Sequence, residues 1–215
     1  MPWLPLFPLG TVLVPGAQLP LQIFEPRYIV LLSDLIEGRT DPEFGVVAIR
    51  QGHEVGADAV HDLYEVGCAA RVSHAVALGQ SRFLVMSEGS RRFHLDAIDP
   101  SAGTDYLTGA VSWLGEPDGD TAALAELAAR LRLELSSYAE SLGADAPDWP
   151  QDARALSYAV GEAVGLDLGE RQSLLSAVST EARLRMGLQA VRREHALSDR
   201  LRVVPQPPER LINLN

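Results

Sequence analysis

The side chains able to do chemistry in this 215-residue chain are five histidines, one cysteine and many carboxylates. His53 and His61 stand in GHEVGADAVHD (52–62) beside Glu54, Asp58 and Asp62. These are metal-ligand types, but their spacing matches no specific metal site, and the segment reads as a long polar loop. His195 continues the helical face of Leu188 and Val191, which points to packing. Cys68 lies in the apolar run YEVGCAARV and reads as a buried core thiol. A single cysteine excludes an intramolecular disulfide. Glu25 and Arg27 flank Pro26 and suit a local ion pair at a helix start better than acid/base work.

All 18 basic residues are arginine. Without lysine there can be no Ser–Lys dyad, no Schiff-base chemistry and no phosphate-binding lysine of a P-loop. Neither a Gly-x-Ser-x-Gly elbow nor a Gly-x-Gly-x-x-Gly loop after a strand is present. A Ser–His–Asp triad assembled from distant positions stays open. The net charge of −11 disfavours nucleic-acid binding, which needs a basic footprint. Arg91 and Arg92 are the one local basic pair of interest, and they read as a solvated strand end. No cofactor is expected. Residues 1–26 carry no Lys or Arg, and no apolar run is long enough to span a bilayer, so a soluble cytoplasmic protein is expected. Among the tryptophans, Trp113 sits in a strand pattern and Trp149, in APDWP, is the best candidate for exposure.

These residues must be positioned by two kinds of element, because the chain changes period near residue 117. Before it, FGVVAIR (44–50), LYEVGCAARVSHAVAL (63–78), RFLVMS (82–87), RRFHLDAI (91–98) and YLTGAVSWL (106–114) read as strands. Glu88-Gly89-Ser90-Arg91 has the composition of a hairpin turn. One helix interrupts this half. Pro26 suits its first turn, Tyr28, Leu31, Leu32 and Leu35 form its apolar stripe, and Gly38 suits its stop. EPDGDT (116–121) reads as a linker.

After the linker the period is helical. Leu124, Leu127, Leu131, Leu135, Tyr138 and Leu142 share one face of a long helix. A second helix is expected near 152–164, with Leu156, Val160 and Ala163 inward. Asp167 and Glu170 have capping-box spacing before a helix through Leu174, Leu175 and Val178. The last helix runs from about Thr180 to Arg202, and the tail VVPQPPERLINLN is too rich in proline to continue it.

The opening stretch LPLFPLGTVLVPGAQLPLQIFEPRY holds five prolines among apolar residues. Pro5, Pro8, Pro15 and Pro20 suit short strands with bends and free edges. The stretch resembles the start of the Lon-protease amino-terminal, or Lon substrate-binding, domain. FGVVAIR, YEVGCAARV, EGSRRFHL and ERQSLLSAVSTEARLRMGLQAVRRE resemble that family's later segments in order. The resemblance implies an α+β fold: a PUA-like, partly open β-barrel with an embedded helix, followed by an α-helical bundle. The expected division is 1–117 for the barrel, 118–204 for the bundle and 205–215 for an extended tail.

The resemblance also implies a role, since in full Lon proteases this domain helps to select and hold substrates. The reading is a stand-alone Lon-domain protein that lacks the ATPase and peptidase domains. It would be non-catalytic and would bind unfolded polypeptide segments or a partner protein. Candidate recognition residues are Phe24, Arg27 and Tyr28 at the FEPRY corner, together with Trp149. The competing expectations are a hydrolase with an unrecognised site in the β half, and RNA binding through a PUA-like barrel.

Overall fold

The computed structural model describes residues 2–38, 43–52, 54, 60–99 and 102–201. It divides between Gly115 and Glu116 into a β-rich unit and a helical unit. The β-rich unit contains β1 (Trp3–Leu9), β2 (Gln18–Ile23), α1 (Pro26–Ile36), β3 (Glu43–Gly52), β4 (Val60–Leu63), β5 (Val66–Gly79), β6 (Arg82–Asp99) and β7 (Thr108–Trp113). The strand order is β1-β7-β6-β5-β3-β4, with β2 paired to β6. Strand β1 also pairs in parallel with β3, from Leu6↔Gly45 to Leu9↔Ala48. The pairings among β1, β7, β6, β5 and β3 therefore close a ring.

The prolines find their places in this pairing. Strand β1 changes partner midway: Trp3–Pro5 lie against β7 and Leu6–Leu9 against β3. Pro5 and Pro8 thus each sit where β1 has one neighbour among the described residues, and the absent N–H breaks no second ladder. Pro20 lies in β2, whose partner among the described residues is β6. Pro15 and Gly16 form the turn Val14–Ala17, closed by Ala17 N–H donating to Val14 O at 3.1 Å. Gly16 has φ +82°, which a side chain would resist there. Pro26 opens α1, where its missing N–H costs nothing.

Two expectations for this unit are corrected. Glu88–Arg91 is not a hairpin turn, because RFLVMS and RRFHLDAI are one continuous strand, β6. Gly89 is there because the Val14–Ala17 turn docks on it: Gly16 N–H donates to Gly89 O (2.8 Å) and Gly89 N–H to Ala17 O (2.9 Å). The real reversal is at Gln80 and Ser81, with φ +52° and +54°, a geometry that their residue types do not announce. Arg91 and Arg92 are likewise not a strand end. Arg92 is 3% exposed and donates to Gly115 O at 2.8 Å. Arg91 lies 3.5 Å over the Trp113 ring.

The β-unit core gathers Leu4, Leu6, Val47, Ile49, Leu63, Ala69, Phe93 and Val111, with Trp113 packed at its margin. Each of these side chains other than Ala69 contributes about 1.5–3 kcal/mol when fully buried. Cys68 is buried, as its apolar context predicts. Helix α1 buries Tyr28, Leu31, Leu32 and Leu35, and its three leucines line one small apolar cavity with Phe7, Ile23, Phe44, Val72 and Val85.

The helical unit contains α2 (Thr121–Ser141), α3 (Ala153–Ala163), α4 (Leu168–Ser176) and α5 (Thr180–Leu201). Asp120, Asp152 and Asp167 cap the first three through side-chain hydrogen bonds, and Asp167 with Glu170 completes a capping box. Leu127, Leu131, Leu135, Leu156, Val160, Leu174, Leu184, Leu188 and Val191 meet in one core. Helix α4 stops before Val178, which is 80% exposed rather than inward-facing.

EPDGDT is not a loose linker either. Glu116 accepts from Arg183 (2.7 Å) and Tyr158, Thr180 N–H donates to Pro117 O (2.9 Å), and Glu181 N–H donates to Asp118 O (3.0 Å). The proline-rich tail lies outside the described residues.

Candidate functional site

The FEPRY corner is built around the start of α1. Glu25 is the N-cap but makes no side-chain cap bond; its carboxylate instead pairs with Arg27 at 3.0 Å. Arg27 also donates to Glu54 O at 3.2 Å and lies 4.5 Å over the Tyr28 ring. Glu54 in turn accepts from Gly10 N–H. The Tyr28 ring stacks on Phe7 with centroids 3.9 Å apart, and the residue is 4% exposed. Burial pushes the Tyr28 hydroxyl up to about 12, with the Arg27 charge partly opposing and Glu25 and Glu54 adding to the rise. Tyr28 is therefore neutral at any physiological pH and anchors the corner from inside. Phe24, at 41% exposure, is the corner's outward aromatic.

Trp149 belongs to the helical unit, whereas the corner belongs to the β-rich unit. It packs at the edge of the helical core, and its Nε1 donates to Ser136 Oγ of α2 at 3.1 Å. Arg132 ties down the same loop by donating to Pro150 O (3.1 Å) and Gln151 O (2.8 Å).

A second exposed apolar surface lies elsewhere in the β unit. Beyond Arg71, β5 and β6 continue as a hairpin to the Gln80–Ser81 turn. Val76 lies directly opposite Leu84, and these two are 57% and 41% exposed. Leu78 is 49% exposed. The opposite face carries Val85 and Leu21, which are buried. Sequence pattern alone assigned this stretch to strands without separating its two faces. A usable signal was present, however: residues 72–87 contain a single charged side chain, Arg82.

The ionisable groups form compact pairs. His94 Nδ1 is 3.0 Å from Asp96 Oδ1, and Ser112 Oγ donates to Asp96 Oδ2 at 2.7 Å. Those two hydrogen bonds, Ser112 first, hold the Asp96 carboxyl below its ordinary value. The carboxylate stands between hydroxyl and imidazole, so Ser112 is bonded to Asp96 and not to the base that a nucleophile would need. Among the described residues no group of three or more His, Cys, Asp or Glu side chains could hold a metal ion. His53, Asp58 and the His61 side chain lie outside the described residues, and Asp62 pairs with Arg50 at 3.1 Å.

Glu43 is 5% exposed and accepts from Arg71 (3.1 Å), Ser90 (3.0 Å) and Arg91 (3.0 Å). Burial opposes its ionisation, but the hydrogen bonds from Arg91 and Ser90 and the two guanidinium charges outweigh it, so the carboxyl titrates below its ordinary 4.5. A depressed folded-state value stabilises the fold above the unfolded value, and this contribution disappears as pH falls through the folded value. Glu43→Gln should therefore lower β-unit stability at pH 7 by about 1–2 kcal/mol. The gap to the parent should close in urea titrations as pH falls below about 4. A gap unchanged by acid would show that the carboxylate charge contributes nothing.

Residues 3–193 match the model of the ATP-dependent protease La (LON) substrate-binding domain. The chain is 27% identical to a Lon protease of Anaeromyxobacter dehalogenans over 203 residues, covering 90% of this chain and 23% of that protein. It is 30% identical to Lon protease 2 of Herpetosiphon aurantiacus, covering 85% of this chain and 23% of that one. The chain thus spans under a quarter of the length of these relatives. A Lon N-terminal domain protein from Xanthomonas campestris superposes with a TM-score of 0.61 at 26% identity, covering 88% of this chain and 98% of that structure. The N-terminal domain of Mycobacterium avium complex Lon protease superposes with a TM-score of 0.66 at 16% identity, a likeness of fold, over 89% of this chain and 98% of that one. With nearly every described element inside the matched span, the chain belongs to the Lon substrate-binding domain family.

Proposed function

We propose that this protein is a non-catalytic recognition module that holds unfolded polypeptide segments or a partner protein. The observation that carries the reading is the family match over residues 3–193. The closed ring of strand pairings supports a PUA-like, partly open barrel as the platform, with α1 embedded in it and the helical unit following. Exposed apolar side chains on that platform supply contact surface: Val76, Leu78, Leu84 and, at the FEPRY corner, Phe24. Arg27 and Tyr28 act by holding the corner's shape, and Trp149 is a half-buried contact candidate in the helical unit. The absence of lysine fits a role without ATP hydrolysis or Ser–Lys proteolysis. Among the described residues no helix is long and apolar enough to cross a membrane.

The test is binding of a labelled, permanently unfolded protein (reduced and alkylated) followed by fluorescence anisotropy, with the folded form of the same protein as control. Saturable binding in the micromolar range to the unfolded form alone is expected, the range typical of recognition without a large preformed interface. Absence of binding to it and to any protein in a lysate would remove the reading. ATP turnover or peptide cleavage by the pure protein would replace it with an enzymatic one.

A further inference from the structure

Strand β5 has two different halves. Residues 68–71 pair with β3 on one side and, through β6, on the other. From Val72 to Gly79, β6 is the only partner among the described residues. Among the described residues, the outer edge of that half presents main-chain N–H and C=O groups with no ladder beside them. Natural edges are usually protected by charge, proline or brevity. Strand β2, on the far side of the same sheet, is short and carries Pro20. The sequence VSHAVALG (72–79) has neither proline nor any Asp, Glu, Lys or Arg. Its regular register runs from His74↔Met86 to Ala77↔Phe83, with irregular steps on either side.

We infer that the outer edge of β5 at residues 74–78 takes up an extended, neutral, apolar-rich polypeptide segment as an added strand. The inference rests on the recognition function proposed above and gives it a place and a mode. The edge supplies sequence-independent hydrogen bonds to any extended backbone, while Val76, Leu78 and Leu84 offer apolar contact to alternate side chains. Charge selects among possible occupants. Residues 72–87 carry only Arg82 in a chain of net charge −11, so a neutral segment meets no like charge there and a strongly charged one finds no partner. A second copy of this chain would bring another −11, and that self-repulsion disfavours pairing of two hairpins.

The test uses the full protein and a labelled, neutral, eight-residue peptide alternating valine with serine or threonine. Two further peptides carry N-methyl groups on alternate residues, so that one or the other hydrogen-bonding edge is blocked. Saturable binding of the parent peptide is expected, with one N-methyl series about tenfold weaker or more and the other near the parent. Val76→Glu and Leu84→Glu, both on exposed positions, should weaken the parent peptide while leaving the melting temperature within a few degrees. Equal binding of both N-methyl series would overturn strand addition. So would insensitivity to Val76→Glu and Leu84→Glu, or a concentration-dependent dimer that competes with the peptide. If the unfolded protein still binds in those cases, the recognition function stands and only this site falls. If neither the unfolded protein nor any peptide binds, both fall.

Discussion

Arg183→Ala should destabilise the helical unit by about 3–5 kcal/mol, the loss expected when one member of a buried charge pair is removed. Arg183 is fully buried in α5. One nitrogen lies 2.7 Å from Glu116 Oε2, Nε donates to Ser157 Oγ at 3.1 Å, and the guanidinium lies 4.1 Å from the centre of the Tyr158 ring. Tyr158 donates to both Glu116 oxygens at 2.8 and 3.0 Å. Alanine would leave a cavity among these groups and strip Glu116 of its guanidinium. Glu116→Ala should cost a comparable amount, because it leaves the buried cation without that carboxylate. The double substitution Arg183→Met with Glu116→Gln should recover much of either loss, since an apolar replacement of similar volume avoids burying charge. Urea unfolding followed by helical circular dichroism measures all four proteins. A loss in the double variant as large as the two single losses together would argue that the two residues are not coupled.

This network also shows where sequence reading stops. The stripe Leu127, Leu131, Leu135 and Tyr138 was legible because helical burial has a period that one segment displays by itself, and all four are buried in α2. The Asp167–Glu170 capping box was legible for the same reason: both partners lie within one turn. The Glu25–Arg27 pair beside Pro26 was local as well. Arg183, by contrast, is one arginine in an arginine-rich helix, and nothing within several residues marks it as fully buried. Its carboxylate is 67 positions away, in a stretch whose Pro, Gly and Asp content reads as linker. Those residue types do bend the chain there, but the contacts that fix the bend come from α3 and α5.

The candidate recognition residues divide in the same way. An aromatic cluster at FEPRY is visible in sequence, yet whether a ring faces in or out depends on Phe7, 21 positions before Tyr28, which receives Tyr28 and leaves Phe24 exposed. The exposed face of the β5–β6 hairpin could not be separated from its buried face by composition, because both faces are apolar. The buried side is decided by β2, which lays Leu21 opposite Val85.

Gly89 supplies the second large expected effect and separates two meanings of one residue type. If Gly89 served a turn, alanine would be resisted by backbone conformation alone, about 1 kcal/mol. In the structure it lies within β6, and a Cβ built there would stand 2.2 Å from Val14 O and 3.0 Å from Val14 C. The obstacle is main chain, held by the Gly16–Gly89 and Gly89–Ala17 hydrogen bonds, and cannot rotate away as a flexible side chain would. Gly89→Ala should therefore cost the β unit about 2–4 kcal/mol, through displacement of the Val14–Ala17 turn and loss of those two bonds. Gly89→Val should cost more, as read by the same denaturation series. Gly115→Ala is the matched control, because nothing lies within 4 Å of its Cβ position. It should be neutral or slightly stabilising, as fits a substitution that only restricts the unfolded chain. Equal, small losses for Gly89→Ala and Gly115→Ala would mean that the proline-glycine turn does not rest on β6, and the docking that joins the opening stretch to the sheet would have to be abandoned.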